Sequence, residues 1–135
     1  KDQAAIVDKA VSNADIVITT ALIPGRNAPR LIKAETVAKM KPGSVILDMA
    51  VETGGNVEGS KEGETVVTEN GVKILGIPNI PGTVATEASA LYARNVFNFV
   101  ETLFDQDKNF KLNQEDEIQK ALLVAHGGQV LLKRG

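Results

Sequence analysis

The sequence has no cysteine and no tryptophan, and only one tyrosine, four phenylalanines and one histidine in 135 residues. Without Cys there is no disulfide framework, no thiolate nucleophile and no zinc–thiolate site, and the chain fits a reducing compartment. Basic residues are not in surplus: 15 Lys and Arg against 17 Asp and Glu leave a formal net charge of −2. That argues against a nucleic-acid surface, which needs clustered cations. No apolar run approaches the roughly 20 residues of a membrane helix, and no signal-peptide pattern is visible. The segment is expected to be soluble, although association with a membrane partner needs no span within it. Nowhere does G-x-G-x-x-G follow a strand and open a helix, so the phosphate fingerprint of a dinucleotide fold is missing. The length suits one domain with a real core. The chain opens at Lys1 without Met, with a helical pattern almost at once, and is expected to be a piece of something longer.

Two stretches organise what is present: Ile16–Pro29, IVITTALIPGRNAP, and Val45–Asn56, VILDMAVETGGN. Each is a short β-branched run that ends in small residues and a Gly-containing loop. In an open α/β sheet such loops lie at the carboxyl ends of parallel strands, where ligands bind. Gln3–Asn13 precedes the first, with Ile6, Val7, Ala10 and Val11 on one helical stripe and Asp8 and Lys9 outside it. Ile16–Thr20 is apolar at first without alternation, which predicts a buried parallel strand. Leu31–Met40 reads as a short crossover helix, stopped by Lys41-Pro42-Gly43. Ser44–Met49 is a second buried strand, and the two strands with their helix form a βαβ unit.

Ala50–Glu64 holds four glycines among polar residues and reads as a long surface loop. Thr65–Thr68 and Val72–Ile77 flank Glu69-Asn70-Gly71, a turn signal because Asn and Gly tolerate positive φ. Ile74–Ile77 is expected to add a third strand to the main sheet, ending in a third loop at Pro78–Gly82. Thr83 or Thr86 is the expected cap of a long helix from Ala85 to Phe104, which should pack across the sheet. The tail Glu115–Leu132 begins acidic, and Ala121–Ala125 and Gln129–Leu132, flanking His126-Gly127-Gly128, read as a small terminal hairpin.

Hydrolytic catalysis has little support. His126 sits beside a turn signal and no Ser occupies a nucleophile-elbow setting, so a solvated turn histidine is the simpler reading. Asp48, Glu52 and Glu58 are not spaced as a known metal site, and Glu115-Asp116-Glu117 lacks the alternating carboxylates of a calcium loop. No metal is expected. If this is a dinucleotide fold, the pyrophosphate half lies upstream of Lys1 and the three loops serve the nicotinamide side. Thr20-Ala21-Leu22 then offers small and apolar surface for the ring and exposed backbone groups for its carboxamide, and Asn79 a hydrogen bond to carboxamide or ribose. The same residues also serve to finish a strand and turn the chain, and the sequence does not choose.

Taken together, ITTALIPGRNAPRLI, MKPGSVILDMAVETGGN, GVKILGIPNIPGTVATEASALYARN and EDEIQKALLVAHGGQVL closely resemble the NAD(H)-binding domain of proton-translocating nicotinamide nucleotide transhydrogenases, in their alpha subunit. Alanine dehydrogenases share the fold and weaker versions of the motifs. The resemblance covers almost the whole chain. It implies the C-terminal half of a Rossmann-like, doubly wound parallel α/β sheet over residues 1–82, followed at 83–135 by a long helix and a small terminal hairpin that return to a first subdomain. It implies NAD(H) as cofactor, with contacts from Gln3, Thr20, Ala21, Leu22 and Asn79, and no catalytic acid or base. NADP(H) would sit on a partner domain.

Further partners implied are membrane components that move protons and a second copy of the NAD domain; nucleic acid is not among them. The implied place is peripheral, on the cytoplasmic side of a bacterial inner membrane. Glu52 separates the two relatives, because the matching residue in alanine dehydrogenases is an Asp that works in deamination, whereas direct hydride transfer needs no protein acid. Gly54–Asn56 favours the transhydrogenase. The helix over Thr86–Phe104 is expected to leave Leu91, Phe97, Phe99 or Phe104 exposed where the first subdomain is missing.

Overall fold

The computed structural model describes residues 2–132, with side chains from 4 onward. The chain divides into two compact units, Lys1–Thr83 and Val84–Gly135.

The first unit begins with α1 (Asp2–Asn13), followed by β1 (Ile16–Thr19), α2 (Ala34–Val37) and β2 (Val45–Asp48). A 3-10 turn at Val51–Thr53 leads through a loop to the hairpin of β3 (Thr65–Val67) and β4 (Lys73–Leu75), and α3 (Ile80–Thr83) closes the unit. The sheet order is β1-β2-β4-β3. β1 pairs with β2 in parallel, Ile16 opposite Val45 through Thr19 opposite Asp48, and β2 pairs in parallel with β4. β3 is an antiparallel edge. Three parallel strands with an intervening helix reproduce the expected Rossmann-like α/β pattern.

Registration places Val17, Ile46, Ile74 and Val66 on one face of the sheet. There they join Val11 of α1, Val37, Met40, Ile32, Val57 and Val72 in a single core. α1 is tied to α2 by Asp8, whose carboxylate accepts from the Thr36 hydroxyl at 2.6 Å and from Lys39 Nζ at 2.9 Å. Asp8 therefore faces α2 rather than standing outside the packed stripe, while Ile6 and Ala10 of that stripe are exposed. The expectation of a fully buried first strand also fails. Ile16 is 70% and Ile18 59% exposed, because their side of the sheet is open.

The segment after β2 is no surface loop in its first half. Ala50, Val51, Asn56 and Val57 are buried, and Ile32 forms an isolated parallel bridge with Val57. The turn at Asn70-Gly71 forms as expected, with Gly71 at φ 82°. Asn70 does more than turn the chain: its amide nitrogen donates to the carbonyls of Val37, Ala38 and Met40, at 3.1, 3.3 and 3.2 Å. These carbonyls lie at the end of α2 and in the turn after it, where helical partners run out; Val37 C=O also accepts from Met40 N–H at 3.0 Å. Ile80–Thr83 is helical rather than a continuation of the loop before it.

The second unit carries α4 (Ala85–Glu101), α5 (Glu117–Leu122) and the two-stranded hairpin β5 (Ala125–His126) and β6 (Gln129–Val130). Val84 occupies the N-cap of α4 without a side-chain bond. Thr83 instead donates to the Ile80 carbonyl, so neither threonine caps the helix. No residue of α4 is buried. Leu91 is 69% exposed, Phe97 and Phe104 are exposed, and Phe99 is half-buried. α5 has no counterpart in the sequence reading; Asp116 caps it, accepting from the Ile118 and Gln119 amides at 3.0 and 2.9 Å. Gln119 stitches this unit together, donating to Thr102 C=O at 3.0 Å and accepting from Asn113 N–H at 2.8 Å.

Candidate functional site

The site begins with where the strands end. β1, β2 and β4 run parallel, so the segments 20–29, 49–57 and 76–79 all leave from the same edge of the sheet. Ligands of open α/β sheets bind at this edge. Two buried polar side chains hold the first two of these segments in fixed relation.

The first is Asp48, the last residue of β2. It is wholly buried, and among the described residues no ion pair reaches it. Its Oδ1 accepts from the Thr19 hydroxyl at 3.1 Å and from the amides of Ala50 and Asn56 at 3.1 and 3.2 Å. Oδ2 accepts from the Val57 amide at 3.1 Å. A buried carboxylate is tolerable only when donors replace the water it has lost. Here those donors are the chain that follows, which therefore curls back around the end of its own strand. Gly55 permits the curl: at φ +79°, a Cβ on it would lie 2.6 Å from Asp48 Oδ2.

The second is Asn56, also wholly buried. Its Oδ1 accepts from Ala21 N–H at 2.9 Å, while Nδ2 donates to Ala21 C=O at 2.9 Å and Pro29 C=O at 2.8 Å. Arg30 adds a guanidinium bond to Gly54 C=O at 3.1 Å and one to Val57 C=O. The first two segments are thus one hydrogen-bonded body. The third is attached by Glu52, whose Oε2 accepts from Asn79 N–H at 3.1 Å. Asn79 sits at φ 47°, unusual for a side-chain-bearing residue though among those that tolerate it. Gly82 packs against its amide so closely that a Cβ would lie 2.5 Å from Nδ2.

Of the residues singled out in the sequence, Thr20, Ala21 and Leu22 open the first segment and Asn79 lies on the third, joined to the rest through Glu52. Leu22 is 59% exposed, an apolar side chain presented to solvent at the strand edge. Gln3 lies outside the residues whose side chains are described. One expected feature does not hold: Ala21 does not offer free backbone groups, since Asn56 engages both its N–H and its C=O. Glu52, Asp48 and Glu58 are each committed to different backbone donors, Glu58 accepting from Ala34 N–H at 2.8 Å. Among the described residues no group of three potential metal ligands occurs. His126 is exposed in β5.

Sequence reading misses Asp48 and Asn56 as the organisers. One signal is a carboxylate closing the apolar run VILD, where a solvated strand end has no need to lie inside. For Asn56 no local signal exists, because its partners are up to 35 residues away.

Fold and strand-edge loops define an open α/β domain of the dinucleotide-binding class, lacking the glycine fingerprint. Residues 1–133 match the family model of the alanine dehydrogenase/PNT C-terminal domain, and the chain belongs to that family. It is 48% identical to the first section of the NAD(P) transhydrogenase alpha subunit of Rhodospirillum rubrum over 132 residues, 97% of this chain and 34% of that protein. The solved transhydrogenase structure from Sinorhizobium meliloti superposes with a TM-score of 0.74 at 50% identity, covering 96% of this chain and 36% of that one. Alanine dehydrogenase of Halomonas elongata is more distant, 33% identical over 124 residues, 90% of this chain and 33% of that protein. The chain therefore spans about a third of the length of these relatives.

Proposed function

We propose that this chain is the nicotinamide side of an NAD(H) site in a transhydrogenase alpha subunit. The complete protein would pass hydride from NADH to NADP⁺ held by a partner domain, coupled to proton movement through membrane components. The observation that carries the reading is the rigid strand-edge body that presents Leu22, joined to high identity with transhydrogenase alpha subunits across nearly the whole chain.

The residues present fit one end of the cofactor. An exposed Leu beside the small residues Thr20 and Ala21 suits a flat ring, and Asn79 brings a side-chain amide from the third segment. The glycine turn that cradles a pyrophosphate is absent, and the Arg30 guanidinium is occupied by carbonyls. On this reading the diphosphate is held by residues outside this segment. Bound here, NADH supplies the hydride. The chain's own part is to fix the ring's face and exclude water, which is where the rate gain of a direct transfer lies. No protein acid or base is required. Replacing Leu22 with Asp in the complete protein is expected to weaken NADH binding by about tenfold or more, since a charge would have to be desolvated against the ring. Unchanged affinity in a titration would remove Leu22 from the site.

A second reading, an alanine dehydrogenase-type amino-acid dehydrogenase, draws on Glu52, an exposed carboxyl at the site's rim. Its engagement with Asn79 N–H gives it a bracing role instead. Oxidation of NADH dependent on pyruvate and ammonia would favour this second reading. NADP-dependent hydride exchange without any amino acid would exclude it.

A further inference from the structure

The Asn56 amide makes no hydrogen bond inside its own glycine-rich segment. Its side-chain bonds all go to the segment after β1, two of them to the N–H and C=O of one residue, Ala21. A carboxamide that takes both backbone groups of a single residue supplies the pair of bonds a neighbouring strand would supply. It prolongs the pairing of β1 past Thr19 into the loop, and its third bond fastens Pro29, near the loop's far end. The backbone bond from Ala28 N–H to Thr53 C=O, 2.7 Å, and those from Leu31 and Ile32 to Asn56 C=O, 2.8 and 3.0 Å, secure that far end to the same segment. Residues 22–27 form a free span between two fixed posts, and Leu22 adjoins the first of them.

We infer that Asn56 is the positioning residue of the nicotinamide site: acting through Ala21, it holds Leu22 in place against the ring. The inference rests on the NAD(H) reading above. Asp48 is the support behind it, since its carboxylate accepts from the Asn56 and Val57 amides and so fixes where the Asn56 side chain starts. A wall held in advance spares the ligand the ordering cost of the loop. Removing the clamp should return that cost to the part of the ligand that uses the wall, and to no other part.

That selectivity supplies the test. In the full-length protein, NADH and ADP-ribose, which lacks the nicotinamide ring, are titrated against the unaltered enzyme and Asn56→Ala. NADH affinity is expected to fall about tenfold while ADP-ribose affinity stays unchanged. Equal losses for both ligands in a folded variant, or no loss for NADH, overturn the inference. Unaltered protein that binds neither ligand overturns the NAD(H) reading itself, a result distinct from either. Asn56→Ser keeps one hydrogen-bonding group and should recover part of the loss; it also replaces the Ala variant should that fail to fold. In the unaltered, ligand-free protein the Ala21 amide should be protected from hydrogen exchange, and exchange at the rate of an open loop would overturn the clamp.

Discussion

The two faces of the sheet are built from alternate residues of the same strands, with nearly the same composition, yet they meet different surroundings. Val17, Ile46, Ile74 and Val66 face α1 and α2 and form the core. Ile16 and Ile18 stand exposed on the opposite face, with Val45, Leu47 and Leu75 half-buried around them. Apolar character on both faces is what a parallel sheet covered on two sides would need. The difference teaches that a strand's composition records the cover it can accept, and the element across from it decides whether cover is there. The polar members differ as well, since Thr19 and Asp48 close the packed face with a hydrogen bond no open face could keep dry.

The largest expected effect comes from emptying the polar end of the packed face. Asp48→Ala leaves a hydroxyl and three backbone amides buried without an acceptor, and should cost about 5 kcal/mol, enough to unfold a marginal domain. Urea unfolding measures it, and a loss below about 2 kcal/mol would mean the donors find water. Ile46→Ala, in the apolar part of the same face, should cost about 4 kcal/mol from lost burial and the cavity left behind.

Smaller is the effect at the rim, where Asp8 joins the two covering helices. The Thr36 hydroxyl, and then Lys39, hold its carboxyl below the usual range, while Asp8 in turn raises Lys39. A depressed carboxyl contributes stability above its unfolded pKa and loses it as pH falls through the folded one. Asp8→Asn should therefore flatten the acid limb of the stability–pH curve slightly, with a salt-sensitive difference because the group is exposed. Lys39 contributes with the opposite sign, its share being lost only as pH rises past its raised pKa. Smallest of all, Ile18→Ser on the open face should change the stability of this chain by less than about 0.5 kcal/mol. A loss approaching that of Ile46→Ala would erase the contrast between the faces.

Local signals carry most of the fold. Apolar runs of the right length locate β1, β2 and β4, and Asn70-Gly71 locates the turn, because period and positive φ are properties of a few neighbouring residues. What escapes depends on distance. Residues 50–57 look like a polar, glycine-rich surface loop, yet Ala50, Asn56 and Val57 are buried, their amides drawn inward by Asp48. The exposure of Ile16 and Ile18 depends on what lies opposite, which no pattern within β1 encodes. α5 is too short for a periodic signal, and its one mark, the Asp116 cap, is lost within an acidic run. At the candidate site, Thr20, Ala21, Leu22 and Asn79 can be named because they follow strands. The bonds that fix Ala21 cannot, since they come from a side chain in the next loop.

Asn70 gives the hairpin a role in the order of assembly. A helix of four residues cannot offset the entropy of its own nucleation, so α2 depends on whatever finishes its end. That finish is the amide at the tip of the β3–β4 turn, about 30 residues further along. The hairpin's pairings are local, and hairpins of this kind close within microseconds. We expect the later segment to fold first and the earlier helix to set against it. On a chain made from its amino terminus, the crossover would then wait for residues not yet synthesised.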